Sequence, residues 1–225
     1  MQRREVNFIC NQEACHGSKP WHPYTTMHPL IIISHPEFFA NEAAIIQQLF
    51  AEGLQCFHLR KPQAEEKDVR QLLDDIPVEY HQRIALHAFH QLADEYDIKR
   101  LHFTEDARRA GMPALKCKEY ILSTSVHDLQ TLQSLSTDFS YAFFGPVFNS
   151  ISKQNYPGIA GDGFYLNNDQ KAVPVIALGG INAENISQIK SMNFNGAAVL
   201  GAIWQEPAKA MDQFRLVQKI INKKA

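Results

Sequence analysis

The sequence of 225 residues predicts an α/β protein, a single (β/α)₈ TIM barrel with an irregular N-terminal extension. From residue 30 onward, short apolar runs alternate with amphipathic runs, a pattern typical of parallel strands joined by helices. Two apolar runs near the C-terminus contain glycine where a strand should end: 174–181, PVIALGGI, and 196–204, GAAVLGAIW. Phosphate usually binds in the loops after strands seven and eight of such barrels, so these runs also indicate a phosphate ligand.

The strand–helix units can be assigned in order along the chain. Apolar runs of four to eight residues predict strands at 30–34, 56–60, 83–88, 101–104, 119–126, 141–148, 173–178 and 197–200. The first helix, with Ala44, Ile45 and Leu49 on one face, runs from its N-cap Asn41 to its stop Gly53. Helical periodicity predicts the later helices at 64–76, 91–96, 106–110, 127–135, 182–192 and 207–223.

Two features of this order need separate comment. After the sixth strand the Gly-, Pro- and Asn-rich stretch 149–168 is either a lid over the site or a degraded helix.

The alternative fold is a doubly wound open sheet, whose glycine-rich turn normally follows the first strand. Here that turn reads Ser34-His35-Pro36, which favours the closed barrel.

The domain organisation is predicted as an extension, 1–28, followed by one barrel, 29–225. Residues 1–28 mix Cys, Trp, Pro and His without periodicity. We expect either a poorly ordered appendage, with Met27 as an alternative start, or a plug at the N-terminal end of the barrel, with Trp21 as the stopper.

The composition excludes several classes of function. With 45% hydrophobic residues, 20% charged residues and a formal net charge of −2, no nucleic-acid-binding surface is expected. No apolar run approaches the ~20 residues that span a bilayer, and the N-terminus lacks a signal-peptide core, which predicts a cytoplasmic protein without membrane partners. Four cysteines show no metal-binding spacing, and Cys56 is expected as a buried, reduced thiol. A homo-oligomer is left open.

Candidate catalytic residues stand at the predicted strand ends, where barrel active sites lie. They are His58 and Arg60 at the end of strand two, His87 at the end of strand three, and His127 at the end of strand five, where Ser123 and Ser125 are in phase with it. His127 opens a helix, whose N-terminus disfavours a protonated imidazole and so favours a base. For His35, His90 and His102 we expect hydrogen-bonded rim positions. Zinc is a further option for His87, His90 and their neighbours, but neither a cysteine nor a carboxylate stands at a ligand spacing from them, so no metal site is predicted there.

Five motifs together resemble the thiamine phosphate synthase/TenI family of (β/α)₈ barrels, from about residue 29 to the C-terminus. They are His58-Leu59-Arg60, Ser125-Val126-His127, the run 144–148 (FGPVF) with 150–153 (SISK), the run 177–181 (ALGGI) and the run 198–203 (AVLGAI). The resemblance implies that a phosphorylated thiazole is the small-molecule substrate. It further implies that Gly179, Gly180, Gly201 and Ala202 bind its phosphate, with Ser125 and Lys153 as further substrate contacts.

The family has two activities, and the resemblance implies one of them here. Synthases join a hydroxymethylpyrimidine diphosphate to a thiazole phosphate with Mg²⁺, and TenI-type members move a proton in a thiazole carboxylate phosphate. Synthases usually carry Gln-Leu-Arg-x-Lys and Asn-Asp after strands two and three, where this chain has His58 to Pro62 and His87-Ala88. Alanine cannot bind Mg²⁺. The departures favour a tautomerase without a cofactor, with His127 as acid/base, Arg60 stabilising negative charge, and His58 and His87 as helpers.

Two alternatives stay open. The first is a synthase that holds Mg²⁺ through Glu105 or Asp106 and uses Lys153 on the diphosphate. The second is a protein that binds a phosphorylated ligand without turning it over.

Overall fold

Eight parallel strands pair in the order of the chain and close into a barrel, because the last strand pairs back onto the first. The strands are Leu30–Ile33 (β1), Cys56–Leu59 (β2), Ile84–Leu86 (β3), Arg100–Phe103 (β4), Ile121–Val126 (β5), Tyr141–Phe144 (β6), Val175–Leu178 (β7) and Gly196–Val199 (β8). This computed structural model describes residues 29–111, 119–149, 158 and 163–223. It confirms the predicted barrel, and the doubly wound alternative is wrong.

Helices surround the barrel on the outside. They are Glu42–Ala51 (α1), Glu66–Asp74 (α2), Leu92–Glu95 (α3), Glu105–Arg109 (α4), Leu129–Gln133 (α5), Gln188–Ser191 (α6), Gly201–Trp204 (α7) and Ala210–Ile221 (α8). Short 3₁₀ helices occupy Val78–Arg83, Asn168–Gln170 and Pro207–Lys209. In the described part of the chain, none of the helices combines the length and the hydropathy needed to cross a membrane.

Several element ends differ from the predictions for local reasons. Asn41 does precede α1, but it adopts a left-handed conformation with φ of 63° and its side chain makes no capping bond. Helix α6 covers only four of the eleven predicted residues, because the side chains of Asn182 and Asn185 bond nearby backbone N–H groups and form a turn instead. The extension 1–28, Lys153 and most of the stretch 149–168 lie outside the described residues.

Side chains alternate between the two faces of each strand, and this sorts the core into two regions. The outward residues pack against the helices and form the larger apolar core. The smaller core fills the barrel interior and contains Ile31, Ile33, Cys56, Tyr141, Phe143, Ile176 and Ala198. Cys56 is a free, buried thiol, as predicted. Polar side chains share this interior towards the C-terminal ends of the strands, where the candidate site lies.

Candidate active site

Three histidine side chains meet inside the barrel near the C-terminal ends of β2, β3 and β4. The ring of His58 is fully buried; its Nδ1 lies 2.9 Å from Nε2 of His87, and its Nε2 lies 2.7 Å from the Tyr141 hydroxyl. The ring of His102 stacks on His87 with 4.0 Å between the centroids. Its Nδ1 lies 2.9 Å from Oγ of Ser123, and its Nε2 lies 3.0 Å from Oγ of Ser125. The interior of the barrel mouth is therefore a connected polar network.

The environment of this histidine cluster (His58, His87 and His102) disfavours the imidazolium form. Burial lowers the pKa of His58 and of His87 well below the ordinary value, and the neighbouring ionisable groups act in the same direction. The pKa of His102 falls to about 3, first through burial and then through the charges of His90 and Arg60. The three imidazoles are thus neutral near pH 7.

The position of His102 corrects the rim assignment made from the sequence. His102 is 1% exposed and points into the barrel, because Arg100 and His102 share the inward face of β4. His90 does occupy a rim-like position, with its Nε2 bonded to the carbonyl groups of Leu86 and His102.

Arg60 follows β2 directly, and its backbone is fixed to the end of β1. The buried hydroxyl of Ser34 donates to the Arg60 carbonyl at 2.8 Å and accepts from the Arg60 N–H at 2.9 Å. The Arg60 side chain is exposed, yet its charge contributes to lowering the pKa of His87 and His102. Its charge therefore acts on the histidine cluster, and the predicted placement of Arg60 on the same side as His58 stays a prediction.

His127 lies at the end of β5, on the exposed rim of the mouth. Its Nδ1 is 2.7 Å from the carbonyl oxygen of Gly145, which follows β6. A carbonyl only accepts hydrogen bonds, so Nδ1 carries the proton and the neutral ring has its lone pair on Nε2. The Glu105 carboxylate lies 3.8 Å from Nε2. The ring is thus held in one tautomer, with its basic nitrogen beside an acidic group.

The described residues at this mouth do not fit Mg²⁺. Oε1 of Glu105 accepts from Arg109 at 2.6 Å and lies 3.7 Å from Arg108, so its charge is already neutralised. Asp106 is exposed on the next position of α4, and Ala88 has no ligand oxygen. Throughout the described chain, the only group of three or more His, Cys, Asp or Glu residues arranged to share an ion is the histidine cluster. Mg²⁺ prefers oxygen ligands over such nitrogens.

The predicted phosphate loop after β7 is packed against the loop after β6. The N–H of Val147 donates to the Leu178 carbonyl at 2.8 Å, and the N–H of Phe148 donates to the Gly179 carbonyl at 3.1 Å. Gly179 and Gly180 have φ of 99° and 65°, and a Cβ atom on either would lie within 2.8 Å of atoms of Pro146, Phe148 or Asn149. Loop packing is therefore sufficient to require both glycines, and their contact with phosphate stays a prediction.

The second predicted phosphate loop, after β8, is more open. A Cβ atom on Gly201 would meet nothing within 4 Å. Gly201 and Ala202 begin α7, which is anchored by the Trp204 indole N–H donating to the Ile33 carbonyl at 2.7 Å. Ser125, also predicted to contact substrate, is bonded to His102. Lys153 lies outside the described residues.

One buried ion pair supports the mouth from the side. Nζ of Lys61 lies 2.7 Å from both carboxylate oxygens of Glu42 and donates to the Glu37 carbonyl at 2.9 Å. The two side chains are 1% and 3% exposed. Lys61 follows Arg60 directly in the sequence. Because its ammonium group is paired with Glu42 inside the protein, its charge is not presented to a ligand.

Sequence reasoning missed three residues of the site: Ser34, His102 and Tyr141. Strand alternation could have identified His102, because it places the side chains of Arg100 and His102 on the same, inward face of β4. The contact between His58 and Tyr141 spans 83 positions of sequence and arises only when the barrel closes.

Comparison with known proteins decides the family. The family model described as "Thiamine monophosphate synthase", TMP-TENI, matches residues 30–203. The chain belongs to the thiamine monophosphate synthase/TenI family. It is 24% identical to a thiamine-phosphate synthase of Lysinibacillus sphaericus over 85% of this chain and 91% of that protein. Identity to one of Prochlorococcus marinus is 36%, over 37% of this chain and only 24% of that protein.

Solved structures agree with this assignment. A thiamine phosphate pyrophosphorylase from Bacteroides thetaiotaomicron superposes with a TM-score of 0.68 at 29% identity, covering 85% of this chain and 96% of that one. One from Pyrococcus furiosus gives a TM-score of 0.66 at 16% identity, which shows the shared fold. The resemblance based on the five motifs is confirmed at the level of the family, whose members act in thiamine biosynthesis.

Proposed function

We propose that this protein is a TenI-like tautomerase that moves a proton in a thiazole carboxylate phosphate, with His127 as acid/base. The observation that carries the proposal is the 2.7 Å contact between Nδ1 of His127 and the Gly145 carbonyl. It leaves Nε2 as the basic atom on the exposed rim of the mouth. A general base needs an available lone pair and a fixed orientation, and the Gly145 contact supports both for His127.

The reaction needs one proton acceptor that later returns the proton. Nε2 of His127 takes a proton from a ring carbon of the thiazole, and the electrons of the broken C–H bond spread into the ring and its carboxylate. The imidazolium that forms lies 3.8 Å from Oε2 of Glu105, whose other carboxylate oxygen accepts from Arg109. Returning the proton to a different ring carbon completes the shift of the double bond. No electrons are gained or lost, so the reaction needs no redox partner.

Negative charge builds up on the substrate in the transition state, and in this proposal the guanidinium of Arg60 stabilises it. A guanidinium aimed at that charge lowers the barrier most effectively in a site that excludes water. The Ser34 hydroxyl bonds both the N–H and the carbonyl group of Arg60, which limits how far the Arg60 side chain can move. The backbone N–H groups of Gly201 and Ala202, and the loop at Gly179 and Gly180, would bind the phosphate at the other side of the mouth.

A second candidate is the synthase reaction, and the names of the relatives favour it. The Lysinibacillus protein and the Bacteroides structure are both named for the formation of thiamine phosphate. Against it stand Ala88 and the neutralised Glu105, which leave the described mouth without a Mg²⁺ site. Lys153 is the residue that this alternative would place on the diphosphate.

Two assays on the same preparation separate these functions. The thiazole carboxylate phosphate is incubated with the protein in D₂O, and exchange and isomerisation are followed by NMR. In parallel, the pyrimidine diphosphate and the thiazole phosphate are supplied with Mg²⁺, and thiamine phosphate is measured. The tautomerase proposal predicts turnover in the first assay alone. Thiamine phosphate in the second assay alone would establish the synthase, and binding without turnover in either would establish a ligand-binding protein.

A further inference from the structure

We propose that the imidazoles of His58, His87 and His102 form a binding site for one four-coordinate divalent transition-metal ion of the zinc class, open to the barrel mouth. One potential ligand nitrogen from each residue lies within 4.8 Å of the other two. Three protein ligands and one open position form the usual arrangement of a catalytic zinc site. This site differs from the Mg²⁺ site that the synthase reaction implies, both in its ligands and in its place.

The distance between the ligand nitrogens of His58 and His87 is close to that expected around a bound ion. Zn–N bonds of about 2.0–2.1 Å in a tetrahedron place the ligand nitrogens roughly 3.3–3.4 Å apart. Nδ1 of His58 and Nε2 of His87 are 2.9 Å apart, and they share one hydrogen that an ion would replace. The His87 and His102 rings are stacked with 24° between their planes, so His102 must turn to aim its lone pair at the same ion.

In His58 and His102, the nitrogen that would not bind the ion already has a partner that orients the ring. The Tyr141 hydroxyl holds Nε2 of His58 at 2.7 Å, and Ser123 holds Nδ1 of His102 at 2.9 Å. Nε2 of His102 lies beside Ser125, which is nearer to the end of β5 and therefore to the mouth. Metal-binding histidines typically use the second nitrogen in this way, which fixes the tautomer and the ring direction. Turning His102 gives up the Ser125 contact and keeps the Ser123 contact.

The donor chemistry selects the class of ion. Imidazole nitrogen suits Zn²⁺, Co²⁺, Ni²⁺ and Cu²⁺, whereas Mg²⁺ and Ca²⁺ prefer carboxylate and carbonyl oxygen. Three neutral ligands leave the double charge of the ion uncompensated, and Arg60 and Arg100 add positive charge nearby. The fourth ligand is therefore expected to be an anion, such as hydroxide. The partial exposure of His87 leaves the route from the mouth by which it can enter.

The test measures metal binding and not turnover, so its result is independent of the proposed tautomerase activity. Protein without a polyhistidine tag is stripped with a chelator, dialysed and titrated with Co²⁺, and the Co²⁺ is then displaced with Zn²⁺. The proposal predicts one Co²⁺ per chain, with the intense visible absorption of a four-coordinate ion, and loss of that spectrum when Zn²⁺ is added.

Variants identify the ligands. His102→Gln removes a buried ligand, and His87→Ala removes a partly exposed one whose loss disturbs the fold less. Both should lose the four-coordinate spectrum, whereas His35→Gln, on the exposed rim after β1, should keep it. Circular dichroism verifies that each variant is folded. The proposal is overturned if the unaltered protein gives only the weak spectrum of six-coordinate Co²⁺ or none, or if folded His87→Ala binds Co²⁺ as the unaltered protein does.

Discussion

His127 and Gly145 are joined across the gap between β5 and β6 by a hydrogen bond of 2.7 Å from the ring Nδ1 to the backbone carbonyl. The side chain that the proposed reaction needs is thus oriented by a main-chain carbonyl, and a side chain at position 145 would disturb it, because a Cβ atom there would lie 2.0 Å from the Leu178 carbonyl oxygen.

Replacing His127 with Gln should remove the proton transfer and leave phosphate binding intact. The amide keeps polar atoms near the Gly145 carbonyl but has no basic nitrogen, so we expect kcat to fall by about 10²- to 10⁴-fold. Exchange of the substrate proton in D₂O is the measurement, and His35→Gln is the control that should retain activity. Full activity in His127→Gln would eliminate this residue as the acid/base.

Replacing Gly180 with Ala should destabilise the protein. Position 180 has φ of 65°, and the added Cβ would lie 2.5 Å from the Asn149 carbonyl oxygen, so both strain and overlap oppose it. Strain of this kind costs about 1–3 kcal/mol, and the overlap adds to it. Gly53→Ala is the matched control, since φ is 98° but the added Cβ would lie 3.6 Å from its nearest neighbour, Nε2 of Gln218. Thermal unfolding should show the larger loss for Gly180→Ala; equal losses would contradict the proposed role of loop packing.

Replacing Gly201 with Ala should not destabilise the protein, in contrast to Gly180→Ala. The new methyl group meets nothing within 4 Å and stands at the start of α7, where alanine is a better helix former by up to about 1 kcal/mol. Stability should therefore be kept or slightly raised. If phosphate binds above the Gly201 backbone, the methyl group occupies part of its space, and calorimetric titration should show weaker binding of the thiazole phosphate. Unchanged affinity would place the phosphate elsewhere.

Replacing Lys61 with Met should produce a pH-dependent loss of stability. Burial raises the pKa of Glu42 above its ordinary value even with Lys61 present, and removal of the lysine leaves this carboxyl without its cation. A raised carboxyl pKa contributes stability that is present below the unfolded pKa of 4.5 and is lost as pH rises through the folded pKa.

The deficit of Lys61→Met should therefore be small in acid and grow towards neutral pH, to about 3–5 kcal/mol. Denaturant unfolding between pH 4 and pH 8 measures it. Lys67→Met is the control, because its pair with Glu65 is 74% and 71% exposed and should matter little at any pH. A deficit that is constant across this range would show that the lost charge pairing is not its cause.

Replacing Ser34 with Ala should lower activity more than stability. The hydroxyl bonds both the N–H and the carbonyl group of Arg60, so its loss frees the backbone that carries the guanidinium. Leaving such buried groups unpaired costs about 1–3 kcal/mol. In the same assay, kcat should fall towards the value of Arg60→Gln while KM changes less. Ser134→Ala, on the exposed end of α5, is the control.

The sequence was sufficient for those parts of the site that depend on strand order and alternation. His58, His87, Arg60 and His127 were predicted at strand ends, and the structure places each of them at the mouth. Those parts that depend on barrel closure could not be predicted in the same way. The cluster joins histidines that are 29 and 15 positions apart in sequence, and no local spacing identifies such a group as a ligand set. His102 was assigned to the rim as a residue at a strand end. Counting alternate positions of β4 from Arg100 places its side chain on the inward face instead.

The glycines show a different limit. A pair of glycines after a buried strand predicts close approach of the backbone to some partner, but the partner can be a ligand or another loop. At Gly179 and Gly180 the structure supplies Pro146, Phe148 and Asn149 as such partners. Local sequence could not distinguish the two cases, because the loop after β6 reaches these glycines only in the folded chain.

The packing of the loop after β6 on the loop after β7 also links the proposed phosphate-binding loop to the proposed acid/base, His127. One segment, Gly145 to Phe148, holds the imidazole of His127 through its first carbonyl and the Leu178–Gly179 backbone through its later N–H groups. The proposed phosphate-binding loop and the proposed acid/base are therefore joined through one short segment of backbone. A thiazole without its phosphate should consequently turn over more slowly even at saturation, since the tail of the substrate helps to align the group that attacks its ring.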